Sequence, residues 1–371
     1  MKFSIKSSEL QKAISKTIGV VPSRSTLPIL ENFLFDITKD SLKITATDLE
    51  VSMTVSIDVK SSETGKIAIP AKKLVDTVRS LPETLITFSV NIEDNKIKMK
   101  TDNGEYLLIG ESSEEFPSPP QFKGSSEFSI DGNVLQKVVN KTLFAVSTDE
   151  LRPQMMGVFF KIENSELCVV STDGHRLVKI NNKSVSIPKL KKEIIIPSKT
   201  LTIVEKFVGN ENVTISISDT HILYKFANTV MISRLIEDKY PNYESVIPSE
   251  NDKKLVVNKT QLLQSVRRVA LYSNNITHQI RFSVSKNELI IQTEDIDFGN
   301  EAKETIPCDY NSSAMEIGFN SNYIIDILSH LESEEIQFLL GTSTKAVIIS
   351  PDKKDEKEEV LMLIMPVRLN T

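Results

Sequence analysis

The stretch Ser171–Val178, STDGHRLV, sets Asp173, His175 and Arg176 within four positions, with Gly174 between the acid and the imidazole. An acid beside a histidine is the pairing that general acid–base chemistry uses, and a neighbouring arginine could hold an anionic group. One reading is therefore a hydrolase built on Asp173 and His175. Such a site needs a nucleophile, a metal or a cofactor loop within reach. The usual forms of these are missing. The other histidines, His221, His278 and His330, are scattered without the spacing of a metal site. None of the twelve glycines pairs as Gly-x-Gly, and no Gly-x-Ser-x-Gly elbow occurs. The sequence thus leads us to expect no catalytic residue, metal site or cofactor. The same residues equally suit a satisfied turn, with Gly174 bending the backbone.

Composition narrows the setting. At 371 residues the chain is long for one domain and fits two or three. Hydrophobic residues at 40% and charged residues at 25% describe a soluble globular protein, and no apolar run approaches the ~18 residues of a membrane span. The opening MKFSIKSSELQK has no apolar signal core, so a cytoplasmic location is expected. Cys168 and Cys308 lie far apart and read as buried apolar residues in a reducing compartment. The net charge of −6 gives no global pointer to nucleic acid.

The elements that must position the turn come in threes. SSELQKAISKT (7–17), DGNVLQKVVNKT (131–142) and NKTQLLQSVRRVA (258–270) each follow a polar start with apolar residues at helical spacing. SLKITATDLEVS, SELCVVSTDGHRLV and NELIIQTEDIDFGN each alternate like a strand and reach a Thr followed by an acid. IPAKKLVDTVRSL, IPSKTLTIVEKFV and, more weakly, GFNSNYIIDILSHL each open a second helix. The three series recur in the same order at a period of roughly 125 residues, an ordinary domain size. We therefore expect three tandem α+β domains, 1–124, 125–251 and 252–371, each of two helices and roughly eight strands. The loop-forming segments PSPPQFKGSS and IPSENDKK mark the boundaries.

The charge is unevenly spread. Helices expected over 7–18, 70–81, 131–143, 197–208, 258–271 and 320–332 carry a combined charge of about +6, leaving about −12 elsewhere. Lysines on solvated helix faces would explain this as well as a basic binding face would. A domain of this length is roughly 35 Å across. Three in a closed ring leave a hole of only ~5 Å, whereas six leave about 35 Å, room for a DNA duplex. One chain cannot encircle DNA; two, joined head to tail through first and third domains, can.

The chain resembles the bacterial DNA sliding clamp family, the beta subunits of DNA polymerase III, from end to end. The residues that carry the resemblance are LPIL (27–30), TATDLE (45–50), IPAKKL, STDGHRL, YPNY (240–243), MEIGFN (315–320) and the terminal MPVRL (365–369). The resemblance implies a ring-shaped homodimer of six similar domains without catalytic activity, a processivity factor that slides on double-stranded DNA. It implies a surface pocket walled by Thr172, Gly174, His175, Arg176 and Leu177. Met155, Pro241, Val246, Leu363, Ile364, Met365, Pro366, Val367, Arg368 and Leu369 would complete it. Short peptides of the replicative polymerase alpha subunit, the clamp loader, repair polymerases and mismatch-repair proteins would dock there. For the apolar members, packing in a core at strand spacing is the competing explanation.

The resemblance also implies DNA contacts at Arg24, Lys72 and Lys199, with Gln154 in the loop STDELRPQM retained as a fourth. Asp149 in that loop would repel phosphate and departs from the family's pattern. Dimer closure would pair edge strands through Lys73, Tyr106 and Leu108 against Leu271 and Tyr272, with Glu301 and Glu304 as salt-bridge partners. The tail Asn370-Thr371 is an extension that could crowd the pocket mouth, and the charged run PDKKDEKEEV (351–360) reads as a solvated hairpin loop. Two other readings stay open at this point: a nucleic-acid-binding scaffold that never closes into a ring, and the hydrolase on Asp173 and His175.

Overall fold

The computed structural model describes residues 1–61, 63–122, 126–163, 166–185, 190–353 and 355–369. Gly124, at an expected boundary, and the tail residues Asn370 and Thr371 lie outside the described residues. Six α-helices form among them: α1 (Ser7–Thr17), α2 (Ala71–Arg79), α3 (Gly132–Leu143), α4 (Ser198–Phe207), α5 (Lys259–Ala270) and α6 (Ser321–His330). They fall where the apolar spacing puts them and end up to two residues sooner. Asn258 and Asn320 stay extended and cap α5 and α6, their side chains accepting from the amides of Gln261 and Asn322. Among the described residues no helix is long and apolar enough to cross a membrane.

The chain divides into two compact units, Met1–Asn133 with Thr202–Leu235, and Val134–Leu201 with Ile236–Thr371. The first unit holds two antiparallel sheets. One has five strands, in the order Lys60–Ser61, Lys2–Lys6, Leu85–Asn91, Lys96–Lys100 and Glu105–Ile109. The other has eight, in the order Ser126–Asp131, Asn212–Ile217, His221–Phe226, Thr229–Arg234, Val51–Asp58, Ser41–Thr47, Asn32–Ile37 and Gly65–Pro70. α1 and α2 pack together, burying Leu10, Ala13 and Ile14 of one and Leu74, Val75 and Val78 of the other. Phe3 stacks on Phe88 at 4.7 Å between centroids.

The second unit repeats the plan. Its nine-stranded sheet runs Lys192–Pro197, Gly157–Glu163, Glu166–Thr172, Arg176–Asn182, Glu358–Ile364, Val347–Pro351, Glu335–Leu340, Lys253–Asn258 and Asp309–Tyr310. Its four-stranded sheet runs Asn300–Pro307, Glu288–Asp295, Gln279–Ser285 and Met315–Asn320, and α5 packs on α6. Of the charged run at 351–360, Lys354 lies outside the described residues; Pro351 ends one strand, Glu358 begins the next, and Glu358 turns inward to receive Lys141, a lysine only 5% exposed.

Each large sheet takes strands from two of the sequence repeats. In the first unit the strand after TDLE, Val51–Asp58, pairs with Thr229–Arg234, and Val51 lies opposite Ser233. In the second unit the strand after TDGH, Arg176–Asn182, pairs with Glu358–Ile364, and Arg176 lies opposite Ile364. Pairing of this kind satisfies backbone groups that an edge strand would otherwise leave open.

Candidate functional site

The turn Asp173–His175 joins strands Glu166–Thr172 and Arg176–Asn182. Thr172 Oγ1 donates to the Arg176 carbonyl at 2.7 Å and accepts from the Gly174 amide at 3.1 Å. Asp173 Oδ1 accepts from the backbone amides of His175 and Arg176, both at 2.9 Å, and its Oδ2 takes Arg176 Nε at 3.0 Å. The carboxylate therefore holds the backbone of His175, not its imidazole. Gly174 sits at φ +92°, a conformation that costs a residue with a Cβ, and a Cβ there would lie 3.1 Å from Arg152 Nη1. This is the geometry of a braced turn.

Arg176 carries the brace further. Its guanidinium, 11% exposed, also meets Asp326 of α6 and donates to the Phe144 carbonyl at 2.7 Å. It lies 4.7 Å from the Tyr323 ring centroid and 5.2 Å from that of Phe144, which in turn stacks on His330 at 4.3 Å. A planar cation held by two carboxylates, a carbonyl and two aromatic faces has little freedom to move.

Beside this turn lies a cavity of about 620 Å³. Met155, Thr172, Gly174, His175, Arg176, Leu177, Pro241, Val246, Leu363 and Met365 line it, which brings together ten of the fifteen residues expected there. Strand register explains the grouping. Leu177 pairs with Thr172 on one side and Leu363 on the other, and Leu363 pairs with Ile348, so this row shares one face of the sheet. Ile364, one residue on, faces the other way and is fully buried. The Met365 amide donates to the His175 carbonyl at 2.8 Å and prolongs the pairing. Beyond it the terminal segment leaves the cavity: the Val367 amide donates to the Gly318 carbonyl at 2.9 Å, and Leu369 lines a second cavity around Ile276 and Ile296. Pro366 is half-buried and Arg368 exposed, and neither is among the residues lining the first cavity.

The floor is core. Phe159, Val170, Leu177, Ile195, Tyr240, Tyr243, Ala346 and Leu363 form one buried cluster, with Phe159 stacked on Tyr240 at 4.9 Å. Cys168 packs against it, its Sγ 3.9 Å from the Tyr243 hydroxyl; burial pushes both the thiol and the phenol above their ordinary pKa values. Tyr243, Ile247, Lys345 and Ala346 line the cavity without having been singled out from sequence. The motif YPNY held the signal for Tyr243; Ala346 reaches the site only through the pairing of distant strands. A ready-made apolar depression with a few polar groups at its rim has the form of a ligand site. Among the described residues no group of three or more His, Cys, Asp or Glu side chains is placed to hold a metal.

The remaining expected positions fall in both units. In the first, Arg24 is exposed in the loop before a 3₁₀ turn (Pro28–Glu31), and Lys72 and Lys73 are exposed on the first turn of α2. Tyr106 is partly exposed on the edge strand Glu105–Ile109, but Leu108 is 8% exposed and faces inward. In the second, Lys199 is exposed on the first turn of α4, Gln154 is half-buried in a 3₁₀ turn, and Leu271 and Tyr272 protrude after α5. Asp149 is held locally by Arg152 at 2.8 Å, so its charge is largely offset within its own loop. Glu304 accepts both Nε and Nη2 of Arg268 at 2.7 Å, a hydrogen bond that lowers its carboxyl pKa.

Models of three domains of the DNA polymerase III beta subunit match the chain in series: the N-terminal domain over residues 1–120, the central domain over 129–242 and the C-terminal domain over 244–368. The chain belongs to the DNA polymerase III beta subunit family. Its function is that of a sliding clamp in DNA replication, on a fold of three tandem clamp domains. It is 30% identical to the beta sliding clamp of Pseudomonas aeruginosa over the full length of both chains. A crystal structure of a P. aeruginosa sliding clamp bound to griselimycin superposes with a TM-score of 0.93 at 30% identity, covering both chains completely. The sliding clamp of Bacillus subtilis gives 0.94 at 28% identity, again over both whole chains.

Proposed function

We propose that two copies of this clamp join head to tail into a ring that encircles double-stranded DNA. The ring holds partners through the cavity beside the 172–177 turn and catalyses no reaction itself. The observation that carries the partner site is that cavity: preformed, apolar at its floor, and shaped by the braced turn, the Tyr243–Val246 segment, Leu363 and Met365. Its ligands are short peptides from the replicative polymerase alpha subunit, the clamp loader, repair polymerases and mismatch-repair proteins, with apolar side chains as anchors. Ring closure is supported by two edge strands, Glu105–Ile109 of the five-stranded sheet and Asn300–Pro307 of the four-stranded one, each the outermost strand of its sheet. Arg24, Lys72, Lys199 and Gln154 are the proposed DNA contacts; Lys73, Tyr106, Leu108, Leu271 and Tyr272 belong to the dimer contact. The ring works in the cytoplasm, where the replicating DNA lies.

Helices averaging about one net positive charge each neutralise few phosphates, so direct DNA affinity is weak and salt-sensitive, and retention is topological. The test is to load the protein on nicked circular DNA with a clamp loader and then cut the circle. Retention on the circle and prompt loss from the linear product are expected. Equal retention on both, with the ends unblocked, overturns the ring.

A further inference from the structure

The third repeat differs from the other two at one place. In the first repeat Asp48 lies three residues before Val51, the residue paired with Ser233, and the hairpin between them holds Leu49 and Glu50. In the second, Gly174 and His175 occupy the same place between Asp173 and Arg176. In the third, Asp295 pairs with Asn300, and four residues, Ile296, Asp297, Phe298 and Gly299, separate them. The longer loop is also apolar where it is most exposed: Ile296 is 82% exposed and Phe298 75%. Asn274 Nδ2 reaches both Asp295 Oδ1 at 3.3 Å and Asp297 Oδ2 at 3.2 Å, tying this loop to the one that bears Ile276, 89% exposed. Three large apolar side chains held out together are a binding surface in search of a cover.

The repeats say what covers it. Val51–Asp58 and Arg176–Asn182 are each paired with the last strand of the following repeat. Their counterpart Asn300–Pro307 is an edge. The one last strand left at an edge is Glu105–Ile109 of the first repeat. Three backbone links fix the correspondence among last strands: Ala68 bridges Glu111, the Ile236 amide donates to Ile195, and Gly318 bridges Val367. Leu108 therefore corresponds to Ser233 and Ile364, which lie opposite Val51 and Arg176. By the same rule Leu108 of one copy lies opposite Asn300 of another, antiparallel. Charge agrees independently. This register sets Glu105 against Lys303, whereas a parallel arrangement about the same pair would set Glu105 against Asp297, and like charges directly opposite destabilise a sheet. It also sets Ile109, 58% exposed, against Gly299, beside Phe298.

Resting on the head-to-tail ring proposed above, we infer that Ile296 and Phe298 form an apolar clasp that closes over Ile109 of a second copy of this chain, in the register Leu108 opposite Asn300. The two extra residues of the third hairpin give the contact between chains an anchor that the equivalent pairings within the chain do without.

The test uses the full chain in two measurements. In sedimentation at micromolar concentration, Phe298→Asp should raise the dimer dissociation constant at least about tenfold, as loss of a central aromatic anchor does. Phe298 is exposed in a loop, so the substitution spares the fold; an unchanged melting curve checks this. Separately, Leu107→Cys with Glu301→Cys, directly opposite in the proposed register, should form an interchain disulfide under mild oxidation. Leu107→Cys with Thr305→Cys, displaced by about 13 Å along the strand, should not. A wild type that stays monomeric overturns the ring and the clasp together. A dimeric wild type whose Phe298→Asp variant dimerises equally well, or which cross-links only through Thr305→Cys, overturns the clasp alone.

Discussion

The turns at Thr47–Val51 and Thr172–Arg176 use the same hydrogen bonds and have diverged in everything else. In both, the threonine hydroxyl donates to the carbonyl four residues on and accepts an amide two residues on. In both, the aspartate accepts the two amides that follow the bend. The first turn bends at Leu49, held at φ 77°, and the second at Gly174. In the second, the residue after the bend, Arg176, reaches across to a helix as an ion pair with Asp326, and a lined cavity adjoins the turn. The shared Thr-Asp pair is thus architecture. The partner site proposed above draws on what differs, namely Gly174, His175, Arg176 and the strands brought beside them.

The largest effect should come from the aspartates. Asp173→Ala removes acceptors for two amides and one of the two carboxylates on a mostly buried arginine, costing ~2–4 kcal/mol, against ~1–2 for Asp48→Ala. Urea unfolding of both variants checks this; equal losses would mean the Arg176 brace adds nothing. Next comes the cavity. Met365→Ala should weaken a fluorescent peptide of the type Gln-x-x-Leu-Phe by ~1–3 kcal/mol while leaving stability and oligomeric state unchanged. Unaltered affinity would move the peptide site elsewhere. The smallest effect sharpens the contrast at the bend itself. Leu49→Gly should stabilise by up to ~1 kcal/mol through relief of a left-handed leucine, whereas Gly174→Ala should cost about as much. Thermal melts of the pair would decide it, and the same sign for both would refute the difference in backbone demand.

Much of this was legible in the chain. Helices follow from the three-and-four spacing of residues such as Leu10, Ala13 and Ile14, and the threefold repeat from motifs that recur in order. The turn residues were legible as well, because a Thr-Asp-Gly bend satisfies itself within a few residues. What was not legible needs strands far apart in sequence. Ala346 enters the cavity because Val347–Pro351 pairs beside Glu358–Ile364, and Ile364 leaves it because a neighbouring residue on a strand faces the other way. The terminal MPVRL divides for a similar reason, Met365 staying at the cavity while Val367 is drawn to Gly318. By itself the sequence determined the local elements, their repetition and the family, since all three depend on neighbours along the chain. The tertiary structure alone decided which side chains share a cavity and which strands end at an edge, because both are set by register between segments that sequence order does not bring together.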